Sequence, residues 1–101
     1  MANFQAEFEG VYGIFDGSIW FPKGVINKNS CVLVSICELS QGGYNPDPQI
    51  NPGDPFKGAA VFTVHNVVPF DDGHVELTID TGWTSSVYTL NLRMSFAVDP
   101  A

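Results

Sequence analysis

A chain of 101 residues, 45% of them hydrophobic, is in the size range of one domain and can bury a core without metals or disulfides. Its 11 acidic and 4 basic residues give a formal net charge of −7, which opposes binding to nucleic acid and to anionic membrane surfaces. We therefore expect a single acidic domain over residues 1–101 and no nucleic acid partner.

The N-terminal residues 1–7 lack the basic start and the apolar core of a signal peptide. No apolar run approaches the ~20 residues that a membrane-spanning helix requires. We expect no membrane insertion, and a location that is cytoplasmic, or exported without a visible conventional signal peptide.

The first elements along the chain are predicted to be a strand and a hairpin. Apolar and polar residues alternate over residues 3–9, which indicates a half-buried strand. The pair Asp16 and Gly17, between the apolar runs 12–15 and 18–21, predicts a hairpin with a two-residue turn.

Pairing across that turn divides the apolar residues of the hairpin between two faces. The predicted core face consists of Tyr12, Ile14, Ile19 and Phe21. The outer face would present Val11, Phe15 and Trp20. An uncovered apolar patch of this kind predicts an interface, so we expect these three residues to join copies of the chain in a symmetric homo-oligomer.

The next strand, Cys31–Leu39, is apolar at both odd and even positions, which predicts a central strand buried on both faces. Cys31 and Cys37 lie on the same face of such a strand, roughly 20 Å apart. A disulfide requires Cα atoms within about 7 Å, so we expect two free, reduced and buried thiols.

Residues 41–57 hold four of the seven prolines and predict a long Pro-rich loop that no regular element crosses. Its Tyr, Ile and Phe residues favour an ordered loop, and a disordered linker is the alternative.

The C-terminal part predicts three neighbouring antiparallel strands. Residues 60–68 are β-branched and aromatic, residues 74–80 and 87–98 alternate with period two, and residues 71–73 form a tight turn. No window shows helical spacing. The fold prediction is therefore an all-β antiparallel β-sandwich, or flattened barrel, of six to eight strands in one domain.

No residue pattern indicates catalysis. His65 lies in an apolar strand, His74 follows a turn, and neither cysteine carries a nucleophile signature. No serine occurs in a Gly-x-Ser-x-Gly elbow. We predict that the protein is not an enzyme.

Calcium is the one cofactor that the residues suggest, and otherwise none is expected. Calcium takes about six to eight oxygen ligands, and the candidate carboxylates are Asp47, Asp54, Asp71 and Asp72. None has the spacing of a known calcium loop. Because turns also require Asp and Asn, a purely structural role is the competing interpretation.

Aromatic residues in polar connections carry the functional prediction. Trp83 lies within the polar residues 80–86, and Tyr44 follows two glycines. Such rings stack on sugars beside Asn and Asp, and they also anchor protein interfaces. The predicted ligand-binding residues are Tyr44, Asn45, Asp47, Asn51, Asp54 and Trp83. An alternative role for Trp83 is to fold back and close the open end of the sandwich.

Two short strings resemble segments of the cyanovirin family of mannose-binding lectins, namely residues 37–45 (CELSQGGYN) and 16–22 (DGSIWFP). The similarity is limited to these strings. That family has two repeats and paired cysteines, which this chain lacks, so no family membership is inferred.

The sequence favours a non-catalytic, lectin-like carbohydrate-binding module. The alternative is a protein-interaction module, either a self-assembling structural component or an inhibitor. Both interpretations use the long loop and the aromatic residues, and Asn and Asp beside Trp favour sugar.

Overall fold

The computed structural model describes residues 2–41, 53–58 and 60–99, and this part of the chain is all-β. Its seven antiparallel strands are β1 (Ala2–Val11), β2 (Ile14–Trp20), β3 (Cys31–Leu39), β4 (Pro55–Phe56), β5 (Thr63–Pro69), β6 (His74–Asp80) and β7 (Leu90–Asp99). The predicted antiparallel β-sandwich is confirmed. No helix long and apolar enough to cross a membrane occurs in the described ranges.

The strands form two sheets, in the orders β1-β7-β3-β4 and β2-β6-β5. Each sheet has three long strands, and the two-residue β4 adds to one end of β3. The central strands β7 and β6 carry most of the core. Their buried residues are Leu90, Leu92, Met94, Phe96 and Val98 in β7 and Val75, Leu77 and Ile79 in β6.

Aromatic contacts join the two sheets at one end of the core. The Phe21 ring makes edge-to-face contacts with Phe4 and Phe96, at centroid distances of 5.1 Å and 5.4 Å. Edge-to-face pairs of this kind stabilise a core by about 0.5–1.5 kcal/mol beyond the area that they bury. Phe21 therefore fixes the chain where it leaves β2.

The predicted hairpin at Asp16 and Gly17 is wrong, because β2 runs straight through both residues. They pair with Thr78 and Leu77 of β6. A two-residue type I′ turn needs positive φ at both turn residues, and Gly17 is not among the glycines with positive φ. The bend after β1 instead uses Gly10 and Gly13, with φ angles of 68° and 67°.

A straight β2 changes which residues face the core. Phe15 and Val11, predicted on the outer face, pack against the core instead. Ile14, predicted in the core, is 67% exposed. Trp20 alone of the predicted interface residues projects outward, with 66% of its surface exposed.

The predicted three-strand C-terminal meander is also wrong. β6 pairs with β5 as expected, across the turn at residues 71–73, but β7 lies between β1 and β3 in the other sheet. The connection at residues 81–89 is longer than the two to about five residues of a hairpin loop, which gives it the length to cross between sheets.

The strand β3 is buried on one face rather than on both. Val32, Val34 and Ile36 pack against the core, whereas Leu33 is 59% exposed and Cys31 is exposed. Both cysteines are free, as predicted, but the prediction that they are buried is wrong, since Cys37 is only partly covered. In the described residues, no second layer covers the outer face of this sheet.

The Pro-rich loop contains one short element that the sequence did not predict. β4 pairs with the end of β3, where Pro55 lies opposite Leu39. A proline is tolerated there because β4 is an edge strand. Residues 42–52 of the loop lie outside the described residues.

We predict that Gly82→Ala destabilises the fold more than Gly24→Ala does. Both glycines have positive φ, 61° and 86°, so alanine is strained at either by about 1–2 kcal/mol. At Gly82 the added Cβ would also lie 2.8 Å from the Val61 backbone oxygen, whereas at Gly24 it meets nothing within 4 Å. Urea unfolding of the two variants measures the difference, and equal losses would contradict the described approach of Val61.

Candidate functional site

The outer side of the β2-β6-β5 sheet presents a band of polar side chains with apolar residues around it. We call this surface the β2-β6-β5 face. Its side chains are Ile14, Asp16, Ser18 and Trp20 from β2, His74, Glu76, Thr78 and Asp80 from β6, and Asn66 and Val68 from β5.

The polar centre of the face follows from the strand register. Asp16 and Asn66 each pair with Thr78, so the three side chains form a row across the sheet. The Thr78 hydroxyl donates to Asp16 Oδ1 at 2.5 Å. In the next row, Glu76 lies between Ser18 and Val68. Hydroxyl, amide and carboxylate groups thus occur together and point to solvent.

These rows line a groove of about 390 Å³. Gly17 and Leu77 complete its floor at the centre of the β2-β6 pair. Leu77 is buried, and Gly17 shares its register position, so both residues face the inner side of the sheet and only their backbones line the groove. The polar groups that the groove presents to a ligand are therefore those of the side chains in the two rows.

Trp20 lies at one end of the face and is held by a stack of rings. Its indole packs on His74 with centroids 4.8 Å apart, and His74 stacks flat on Phe70 at 4.5 Å. The Trp20 ring remains 66% exposed even though its inner side is supported. A supported ring with a free face is suited to stacking against a flat ligand surface.

His74 is fixed by the turn that precedes β6. The Phe70 and Gly73 backbones close this turn, with Phe70 N–H donating to His74 O at 2.9 Å. Asp72 Oδ1 accepts the His74 N–H at 3.3 Å and also contacts the ring Nδ1. The ring Nε2 lies 3.5 Å from Glu76 Oε1. Carboxylates on both sides thus set the orientation of the imidazole, and through it that of Trp20.

The charge of the face is negative. Asp16, Glu76 and Asp80 belong to it, and Asp72 lies at its edge beside His74. His65 Nε2 is 3.9 Å from Asp80 Oδ2. None of the side chains that define the face is Lys or Arg. Such a surface favours neutral or cationic ligands over anionic ones.

Trp83, the centre of the predicted ligand site, has a structural role in the connection between β6 and β7. It is half-buried, and its indole Nε1 donates to Tyr88 O at 2.6 Å. Its backbone oxygen accepts the Gly13 N–H at 2.6 Å, which ties this connection to the β1–β2 bend. These contacts fit the alternative in which Trp83 closes the end of the sandwich.

The other residues of the predicted ligand site are not brought to Trp83 in the described part of the chain. Tyr44, Asn45, Asp47 and Asn51 lie outside the described residues. Asp54 precedes β4, where its backbone oxygen accepts the Ser40 N–H at 2.8 Å. The prediction that these residues form one site stays a prediction.

Two of the calcium candidates stabilise turns. Asp71 Oδ1 accepts the Lys28 N–H at 2.9 Å, and Asp72 holds His74. Asp47 lies outside the described residues, and Asp54 is placed beside β4. Within the described ranges, no group of three or more His, Cys, Asp or Glu side chains could hold a metal ion.

Sequence reasoning missed most of the residues of the face. The sequence predicts Asp16 in a hairpin turn, Ser18 in the strand that follows this turn, and Asn66 in an apolar strand. The usable signal was the polar alternation of residues 74–80, which marks one solvent-facing side of β6. A neighbouring strand with polar residues at alternate positions would extend this solvent-facing side into a polar surface.

Glu38 is a second chemically distinctive residue, away from this face. It lies on β3 beside a groove of about 420 Å³ near Lys57 and Gly58. Burial raises the pKa of the Glu38 carboxyl above its ordinary value of 4.5. The Gly58 backbone lies so close to the Glu38 carboxylate that a Cβ added at Gly58 would clash with it.

Comparison of the chain with protein-family models, curated proteins and solved structures finds no match. Function is therefore inferred from the side chains of the β2-β6-β5 face and from the fold that positions them.

We predict that the stability of Glu38→Gln, relative to that of the unmutated protein, is greater at neutral pH than at acid pH. The raised pKa means that the folded state holds the Glu38 proton more tightly than the unfolded chain does. This contribution is complete below pH 4.5 and is lost as pH rises through the folded-state pKa. The variant avoids that loss because glutamine does not ionise.

Urea unfolding of both proteins from below pH 4.5 to about pH 7 measures the effect. The free energy of unfolding of Glu38→Gln should rise relative to the unmutated protein over this range. Glu9→Gln, at an exposed position of β1, controls for the removal of one carboxylate. A difference that stays constant with pH would contradict the role of burial at Glu38.

Proposed function

We propose that this protein is a non-catalytic carbohydrate-binding module whose ligand lies on the β2-β6-β5 face. The observation that carries the proposal is the exposed Trp20 indole, which lies one row beyond a groove lined by hydroxyl, amide and carboxylate side chains on the same face. Sugars present apolar C–H faces and equatorial hydroxyls, so their recognition combines ring stacking with hydrogen bonds.

The polar row supplies the hydrogen bonds that a sugar needs. The Asp16 carboxylate accepts hydrogen bonds. The Asn66 amide and the Thr78 hydroxyl can each donate and accept them. The Asp16–Thr78 hydrogen bond orients these two groups before any ligand arrives. Preorganised groups lose less side-chain entropy on binding, which supports affinity from few contacts.

The size and charge of the groove support a neutral glycan. A volume of about 390 Å³ is at the lower end of the ~300–1,000 Å³ that small-ligand sites occupy. The groove lies on the outside of a sheet, so a linear glycan can extend across the strands beyond it. The carboxylates of Asp16 and Glu76 disfavour sulfated or sialylated sugars.

A protein ligand is the second candidate, and apolar residues on the same face favour it. Ile14, Trp20 and Val68 are exposed by 67%, 66% and 38%. Exposed aliphatic residues around a tryptophan are typical of a protein-binding surface. A sugar would depend on the polar row, whereas a protein would depend on Ile14 and Val68.

We predict that Trp20→Ala lowers glycan affinity at least tenfold, which corresponds to about 1.4 kcal/mol of binding free energy. Because the ring is mostly exposed, the melting temperature should change by only a few degrees. A neutral-glycan array, run with and without calcium, identifies the sugar, and calorimetry with that sugar measures the change.

Val87→Ala is the matched control, because Val87 is 79% exposed and lies outside the face. It should bind as the unmutated protein does. Asp16→Asn should also lose affinity, and Ile14→Ala should not. Loss with Ile14→Ala but not with Asp16→Asn would favour a protein ligand, and release of shorter glycans during incubation would contradict a non-catalytic role.

A further inference from the structure

The edge of β3 that faces away from β7 lacks the features that normally prevent pairing with a further strand. On the side away from β7, β4 covers β3 only at Glu38 and Leu39. Within the described residues, no strand pairs with residues 31–37 on this side, and Lys57, Gly58 and Phe62 lie beside Ile36 and Cys37 across a groove of about 420 Å³. Exposed edges of this kind are templates for pairing with another strand.

The other long edge strands carry protective features. β1 has a bulge between Phe8 and Val11, and β5 has a bulge after Val64 and a terminal proline, Pro69. β2 carries Asp16. β3 has no bulge, since its pairing with β7 is regular over its whole length, and its one charged residue, Glu38, lies at the end that β4 covers. Residues 31–37 also contain no charge, proline or glycine.

The backbone orientation of this edge follows from Ser40, the residue directly after β3. The Ser40 N–H donates to Asp54 O at 2.8 Å, and Ser40 O accepts from Gly53 N–H at 2.7 Å. Both groups of Ser40 therefore point to the β4 side. Backbone groups alternate sides along an antiparallel strand, so those of the even residues of β3 point there too, which are Val32, Val34 and Ile36.

We propose that the open edge of β3 binds β3 of a second copy of this chain, antiparallel and about a two-fold axis at Val34. In this register, Val34 pairs with its own counterpart and Val32 pairs with Ile36 of the second copy. Each of these residue pairs forms two hydrogen bonds, because the groups of the even residues face the edge. The two sheets join into one continuous sheet across the axis.

The sequence of the edge is self-complementary in this register. Cys31 lies opposite Cys37 of the second copy, and Leu33 lies opposite Ser35. A chain with a net charge of −7 repels its own copies, and an uncharged edge is where two copies approach at least cost. A closed two-fold dimer also removes the exposed edge that would otherwise recruit further strands.

The cysteines report this register directly. Cys31 and Cys37 occupy odd positions, so they form the closer, non-hydrogen-bonded pairs, with Cα atoms about 4.5 Å apart. A disulfide spans Cα distances of about 4.4–6.8 Å. Within one chain the two cysteines are roughly 20 Å apart along β3, so they cannot bridge each other there.

Cross-linking of single-cysteine variants tests the register. Oxidised glutathione takes two electrons and two protons from two thiols, which leaves one protein disulfide and two molecules of reduced glutathione. Cys31→Ser alone and Cys37→Ser alone should give no covalent dimer, because each remaining thiol faces serine. An equal mixture of the two variants should give a covalent dimer through Cys37 of one variant and Cys31 of the other.

The oligomeric mass tests the dimer without any cross-link. Light scattering of the reduced protein at micromolar concentration should give twice the 11.0 kDa chain mass. Leu33→Glu should halve that mass, because it places two like charges beside the axis. Val87→Glu, at another exposed residue that lies outside β3, should leave the mass doubled.

A monomeric mass for the unmutated protein overturns the proposal. So does covalent dimer formation by either single-cysteine variant alone at the level of the mixture, because the thiols would then meet without the register. The proposed dimer is independent of the proposed carbohydrate site, because the β2-β6-β5 face lies on the other sheet.

Discussion

The structure depends on the contact between two central strands, β6 in one sheet and β7 in the other. Alternate residues of both strands are buried, and Val75, Ile79, Leu92, Met94 and Val98 have no exposed surface. Full burial of one such side chain stabilises the fold by about 1.5–3 kcal/mol. Because successive side chains of a strand point to opposite faces, the remaining side chains of β6 and β7 point outward and form the centre of the two outer faces of the sandwich.

This arrangement separates stability from recognition. The β2-β6-β5 face consists of residues that the core does not need, and the proposed dimer uses the edge of β3 in the opposite sheet. A two-fold axis between antiparallel strands runs perpendicular to the sheet. Both β2-β6-β5 faces would therefore lie on the same side of the dimer, where the two proposed carbohydrate sites could bind one multivalent surface together.

Sequence patterns predicted the fold class and several strands because these depend on local alternation. The alternating residues of β1, β6 and β7 face inward and outward as predicted. Neighbouring strands were harder to predict, since period two specifies a face and not a partner. β7 accordingly lies between β1 and β3 rather than beside β6.

The face was missed because a strong local turn signal is overridden by tertiary pairing. Asp16 and Gly17 favour a type I′ turn, but a straight β2 pairs with β6 over its whole length, from Ile14 to Trp20. The long pairing also buries Phe15 and Ile19 against the core. Choosing between a hairpin turn and a straight β2 requires knowing that β6 is available as a partner. The local sequence around Asp16 and Gly17 does not contain that information.

The register of β2 is the central claim, because it places Asp16, Ser18 and Trp20 together on the face. The most direct measurement is the pattern of backbone nuclear Overhauser effects in solution. The register of β2 on β6 predicts cross-strand effects between Gly17 and Leu77 and between Phe15 and Ile79. Effects between Phe15 and Ser18, as in a hairpin closed at Asp16 and Gly17, would contradict it.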